Sequence, residues 1–528
     1  MTIKPDEKRI LKKDEEGAGG LPVTNWRSIY VAAALSFVGS AQFSLYFSSL
    51  WPYLQIIDRS ISETFFGYII AIYSIGQIIS SPTFGYWSNR IKTIRLPLFV
   101  GLCMMFIGNA LYICLELGLP IQRRYLLLLG RFITGMGSGN VSLLRTYAST
   151  ASTSKDRPRA IAFVTCGQAL GMTSGPAFQL FFTTLKYPGI HVFGKLRFNL
   201  YTAPAWLACA MNVFGGLALY FLFREEYAGL LVEANRNGKT NMNKIGDSME
   251  CGIAKKAPSY DLVAVFICYL TRFTQMFINT NLETLGSPFS MMMFGWTEAN
   301  AVTFTSAAQG AIGFLTFATY VAYITFNMEN FLNFRASCIL SLVALIIFHL
   351  ITYSWPFIPG NVPMYNSTSI WELEKMDGPD EPVGCNTDKF EWCEELRPVN
   401  VGVYYAAYIL VIGLAFPTLN IAMNTLFSKI IGPRWQGTQQ GILQVSGGLA
   451  RMIGPIMISI LYSTYGPTMA WNMEIIVITL TLIAWLIFYR RMVPLKAIQN
   501  VYKNISPPSS LASEKEAIKN GPTLRDAP

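Results

Sequence analysis

One short phrase occurs twice in this chain, as Gly171-Met-Thr-Ser-Gly175-Pro176 and again as Gly447-Gly-Leu-Ala-Arg451-Met-Ile-Gly454-Pro455. Each copy sits inside a hydrophobic run of membrane-spanning length, and a similar number of such runs precedes each. A chain that repeats itself in this way implies two related helical bundles with a binding region between them, the plan of a secondary transporter.

Composition says what the solvent is. Of 528 residues, 52% are hydrophobic and 14% charged, against roughly 25% charged in soluble domains. A helical crossing needs about 20 apolar residues, and the runs that qualify lie near 28–50, 66–88, 95–116, 124–147, 160–184, 200–223, 260–294, 298–324, 335–355, 400–427, 437–463 and 468–489. The reading is an all-α polytopic membrane protein of twelve transmembrane helices in two pseudo-symmetric six-helix bundles. The first run is too long for a signal-peptide core and meets no small-residue cleavage site, so it reads as a retained helix. The net charge of +10 is topological. Most Lys and Arg fall on one side, which puts both termini in the cytosol by the positive-inside rule, and only Arg131, Arg272 and Arg451 read as lying within spans. Nucleic-acid binding is thereby excluded.

The expected organisation is a cytosolic N-tail (1–27), a first bundle (28–223), a polar linker (224–259), a second bundle (260–490) and a cytosolic C-tail (491–528). A long luminal loop (356–399) carries the sequon Asn366-Ser367-Thr368, a glycosylation candidate. Cys385 and Cys393 share that loop on the oxidising side. A disulfide between them is geometrically easy, with a pair of free thiols as the alternative. The halves also match at helix starts, where Ser62 and Thr297 read as N-caps. With two histidines in the chain, His191 and His349, no His-built metal site is expected. No P-loop, His-Glu-x-x-His or Gly-x-Ser-x-Gly phrase occurs, so neither an enzyme nor a cofactor is expected.

Polar residues inside spans are the candidates for the solute pathway. Helix 11 carries Gln440, Gln444, Gly447 and Arg451 on one face. Arg451 lies fourteen residues into its run, about 21 Å along the axis and close to the midplane. It either contacts an anion or locks the helix by bonding neighbouring carbonyls. Helix 7 presents Arg272, Gln275, Asn279 and Glu283 as a second stripe. Glu283 either accepts a proton or stands in a permanent ion pair with a cavity arginine. Helix 4 adds Arg131, followed by a glycine stripe. Gln77 and Gln168, then Gln309, Asn420 and Asn424, are further cavity candidates. Gly171, Gly175, Pro176, Gly454 and Pro455 permit close helix approach and backbone bending.

These phrases resemble the major facilitator superfamily. Gly85-Tyr-Trp-Ser-Asn89-Arg90 is similar to that family's cytosolic Gly-x-x-x-Asp-Arg gating signature, with Asn for Asp and without the usual Gly-Arg-Arg that follows. Arg131 to Gly137 resembles its Arg-x-x-x-Gly-x-Gly element, and Gly171 to Pro176 its helix 5 element. A further series, from Trp26-Arg27-Ser28 and Ser49 to Gln55 through Ala71 to Gln77, Gly137-Ser-Gly-Asn140 with Arg145, Gln168 to Gly171 and Pro382 to Cys385 with Trp392-Cys393, is similar to a lysosomal branch of the superfamily. Glu283, Arg131 and Arg451 fit that pattern and Arg272 does not. The resemblance implies an endolysosomal carrier or chloride channel. In the tails, Asp6-Glu-Lys-Arg-Ile10-Leu11 approximates an acidic dileucine signal and Tyr502-Lys-Asn-Ile505 a tyrosine-based one, both read by clathrin adaptors. The expected partners are a small anion or anionic solute, protons, the bilayer and the adaptors. Three functions fit: a carrier working by alternating access, an anion channel on the same scaffold, and a non-transporting sensor or scaffold.

Overall fold

The computed structural model describes residues 23–228, 259–366 and 383–495, apart from breaks at 47–49, 58–62, 118–119, 183–184, 186–188, 194–195, 329–331 and 433. Ser62, Ile10, Leu11, Tyr502 and Ile505 lie outside the described residues. The first half comprises α1 (Trp26–Ser44), α2 (Leu50–Ile57), α3 (Glu63–Ile91), α4 (Arg95–Ile113), α5 (Pro120–Gly137), α6 (Asn140–Ala151), α7 (Arg157–Phe182) and α8 (Ala203–Phe221). The second comprises α9 (Leu262–Phe294), α10 (Glu298–Thr325), α11 (Phe334–Ile351), α12 (Val401–Ala407), α13 (Gly413–Ile431) and α14 (Gly437–Ile487). A π turn, Tyr408–Ile412, joins α12 to α13. Gly466 at φ 82° divides α14 into two segments. Among the described residues, seven stretches are long and apolar enough to cross a membrane.

Helix starts follow from local chemistry. The side chains of Asn25, Asp261, Thr297, Asn333 and Asn400 each accept a backbone N–H of the turn they open, satisfying donors that otherwise have no partner. One boundary differs from the hydropathy reading. The first run, expected to continue to residue 50, stops at Ser44, and Trp51-Pro52 lies in the short helix α2. Ser44 turns its hydroxyl onto the carbonyls of Ser40, Ala41 and Gly171, a local bond that competes with extension of the helix.

The two halves pack alike. Along α7, a Cβ at Gly167, Gly171 or Gly175 would fall 2.3 Å from Ala33 O, 2.5 Å from Phe37 O and 2.0 Å from Ser44 Oγ. Only hydrogen fits there, so α7 seats directly on the α1 backbone. In the second half Gly447 and Gly454 of α14 seat on α9, where a Cβ would meet Met276 Cγ and Asn281 Oδ1. Among the described residues, four apolar clusters lie each within one half. A smaller one, with Ala162, Tyr320, Tyr323, Ile324 and Ile421, bridges both.

We call the face at which the chain enters α1 and leaves α14 the terminal face. There Thr24 bonds Asp156, and Ser28 Oγ exchanges hydrogen bonds with the Arg224 backbone. Arg491 pairs with Asp261 at 2.7 Å. The halves also meet there backbone to backbone: a Cβ at Gly85 would lie 2.2 Å from Gly437 O, and one at Gly441 2.6 Å from Ser81 O. At the opposite face the long loop folds onto the second bundle. Met364–Tyr365 pairs with Cys385–Asn386 as a parallel two-stranded ladder, a disulfide joins Cys385 to Cys393, and Trp392 covers Gly466. Asn366, at the end of that strand, is exposed.

Candidate transport site

Between the bundles, α3, α6, α7, α9 and α14 converge on a polar network. Gln77 on α3 donates to Ser138 Oγ at 3.0 Å, and its Oε1 accepts from Gln444 Nε2 and from Arg451. Arg145 on α6 donates to Gln444 Oε1 at 2.9 Å and to Gln168 Oε1 at 2.7 Å. Arg272 on α9 donates to Gln275 Oε1 at 3.0 Å and to Asn420 Oδ1 at 3.3 Å, and Asn420 donates in turn to the Tyr320 hydroxyl. Arg451 therefore reaches across to Gln77 of the first bundle instead of locking its own helix through carbonyls.

The network concentrates positive charge. Arg272 lies within electrostatic reach of Arg145 and Arg451, and Arg145 of Arg451. Among the described residues none of the three makes an ion pair within 4.0 Å, and each has an Nε with no hydrogen-bond partner. Their partners are neutral amides. Glu283 is the carboxylate in electrostatic reach of Arg451; it accepts from Asn279 Nδ2 at 2.8 Å. Access is graded: Arg145 and Arg272 are buried, Arg451 is half-buried and Glu283 is exposed.

Several expected residues go elsewhere. The helix 7 stripe splits: Gln275 turns to the Phe416 carbonyl on α13, while Asn279 and Glu283 stay accessible. Arg131 sits inside the first bundle, 5.3 Å from the Tyr46 ring centroid and 4.9 Å from that of Tyr73, and Tyr73 also lies in electrostatic reach of Arg451. Gln440 is buried, with its Oε1 unpartnered. Gln309 donates to Tyr408 and Asn424 to Asn420. Asn89 forms a contact between halves: its Nδ2 donates to Thr438 Oγ1 at 2.8 Å and its Oδ1 accepts from Gly437 N at 3.0 Å. An aspartate here could keep the contact to Thr438 only if that hydroxyl turned round to donate. Arg145 corrects the topological reading. It belongs with the basic residues inside the protein, not with those of the terminal face; the signal for it was a lone cation just inside the end of the run at 124–147.

Two bundles seated on glycine stripes, facing each other across a polar, arginine-rich interface, define the class as a membrane transporter, and the comparisons agree. The model of the Major Facilitator Superfamily matches residues 26–367. Major facilitator superfamily domain-containing protein 8 of Xenopus laevis is 30% identical over 484 residues, covering 89% of this chain and 92% of that protein. Among solved structures, the human organic anion transporter MFSD10 superposes with a TM-score of 0.58 at 16% identity, covering 87% of this chain and 99% of the other. The proton:xylose symporter XylE superposes with a TM-score of 0.63 at 14% identity, covering 89% and 96%. The chain belongs to the Major Facilitator Superfamily and is a multi-pass membrane transporter, not an enzyme.

Proposed function

We propose that the protein is an endolysosomal carrier that moves a small anion or anionic solute by alternating access. The terminal face is cytosolic in this reading, the opposite face is luminal, and Asn366 carries a glycan. The carrying observation is the cluster of Arg145, Arg272 and Arg451, held by neutral amides with no carboxylate in an ion pair among the described residues. Removing one partner from a buried ion pair costs about 3–5 kcal/mol, so a cluster left open in this way is suited to a counter-charge supplied from outside. Glu283 supplies a proton or the counter-charge that replaces the solute when it leaves. Close backbone contact at Gly85, Gly437 and Gly441 supports a carrier closed at the terminal face over a channel with a continuous pore.

The test is chloride flux into liposomes holding the purified protein, with internal pH and membrane potential followed together. Flux driven by a pH gradient supports the carrier. Electrogenic flux indifferent to that gradient supports an anion channel instead, and an absence of chloride movement directs the search to organic anions.

A further inference from the structure

The second bundle buries a titratable pair that the transport network does not use. His349 on α11 and Glu474 on the second segment of α14 are 0% exposed, with Nε2 and Oε2 2.5 Å apart. The other ring nitrogen, Nδ1, lies 2.7 Å from the carbonyl oxygen of Leu345. A carbonyl only accepts, so Nδ1 carries a hydrogen. A neutral imidazole then presents a bare lone pair at Nε2, which an ionised carboxylate could not approach so closely. A proton must lie between them, either as imidazolium with carboxylate or as imidazole with carboxylic acid.

The surroundings of this pair are aromatic and largely apolar. Glu474 Oε1 is buried without a hydrogen-bond partner. The titratable groups facing the pair are Tyr404 and Tyr408, each in electrostatic reach of Glu474; Trp471, Phe348 and Thr352 complete the enclosure. Tyr408 is also in electrostatic reach of Glu283, and its hydroxyl accepts from Gln309 at 3.0 Å. It is the first residue of the π turn Tyr408–Ile412, an irregularity often found at functional positions in helices.

We propose that His349 and Glu474 form a second, buried proton-binding site, loaded in the conformation closed at the terminal face and linked to Glu283 through Tyr408. Its role in coupling rests on the carrier reading; its existence as a proton site does not. The proposed step moves one proton onto or off the pair, with no other bond made or broken.

Infrared difference spectra between acid and alkaline pH, taken on the full chain in lipid nanodiscs, test this without any cargo. Glu474→Gln is isosteric and can donate to Nε2, so it copies the loaded state without a titrating proton. The wild type is expected to show a pH-dependent carboxyl and imidazole signal that disappears in Glu474→Gln and is altered in His349→Gln, a second variant that covers misfolding of the first. Glu283→Gln is expected to displace the midpoint of that signal. A wild-type spectrum with no Glu474-dependent change across the range overturns the site and leaves a structural staple. An unmoved midpoint in Glu283→Gln overturns the link through Tyr408. Failure of anion flux in liposomes, with the spectral signal intact, overturns the carrier reading alone.

Discussion

The two halves share a scaffold but treat buried polarity in opposite ways. In both, glycines on the fifth helix of the bundle seat it on the first. In the first half, Gln42, Asn109 and Asn212 form a buried amide cluster with bonds of 2.9–3.0 Å, and Arg131 lies over tyrosine rings. The second half holds an accessible Glu283 and the buried pair of His349 and Glu474. In the proposed carrier, symmetric packing would let the bundles rock as like bodies, and the asymmetric chemistry would assign proton handling to one of them. Such a division is open to direct attack.

The largest expected effect comes from the shared scaffold. Gly175→Val drives a side chain into Ser44, whose backbone carbon would lie 2.6 Å from the new Cβ, and is expected to cost about 3 kcal/mol. Gly454→Val faces the Asn281 side chain at 2.7 Å, which can turn aside, and is expected to cost about 1–2 kcal/mol. Thermal unfolding followed by intrinsic fluorescence ranks the two; equal or absent losses would break the claim of seated helices. The disulfide belongs to the second half alone. Replacing Cys385 and Cys393 by Ser is expected to cost about 2–3 kcal/mol from the freed loop, read as a lower melting midpoint that the wild type reproduces under reductant.

The chemical asymmetry predicts a functional split. Glu283→Gln is expected to abolish accumulation driven by a pH gradient while exchange without a gradient persists. A variant that still accumulates solute against the gradient would remove Glu283 from proton handling.

The smallest effect lies at Asp261, which caps α9 and pairs with Arg491. Partial burial pushes its carboxyl up, but hydrogen bonds from Arg491 and from the Ala264 and Val263 amides outweigh this and hold it below the usual carboxylate range. A depressed carboxyl contributes stability that is present at neutral pH and lost as pH falls through its folded-state value. Asp261→Asn is expected to cost about 0.5–1 kcal/mol at neutral pH and to flatten the loss on the acid side. A melting profile against pH that matches the wild type contradicts this.

Much of the fold was legible because hydropathy over about 20 residues and a repeated glycine phrase are both local signals. Arg451, Gln444, Gln77 and Gln168 were legible as site candidates because polar groups within spans are rare. Their partnership with Arg145 was not, since that residue sits near the end of its run and reads as one more basic residue at the membrane edge. His349 and Glu474 carried a weak signal, a lone histidine in one run and a lone acid in another. Only packing of α11 on the second segment of α14 reveals that they meet. Splitting of the helix 7 stripe was likewise illegible, because periodicity places residues on a face without saying what faces them.

The central claim is that Arg145, Arg272 and Arg451 are held unpaired to receive an anion. Chloride uptake by proteoliposomes of wild type, Arg145→Ala and Arg451→Ala, each checked for an unchanged melting midpoint, tests it most directly. Loss of a charge-assisted contact of about 1.5–3 kcal/mol corresponds to uptake lower by roughly 10- to 100-fold in each variant. Uptake that remains at the wild-type level in both folded variants would contradict the account.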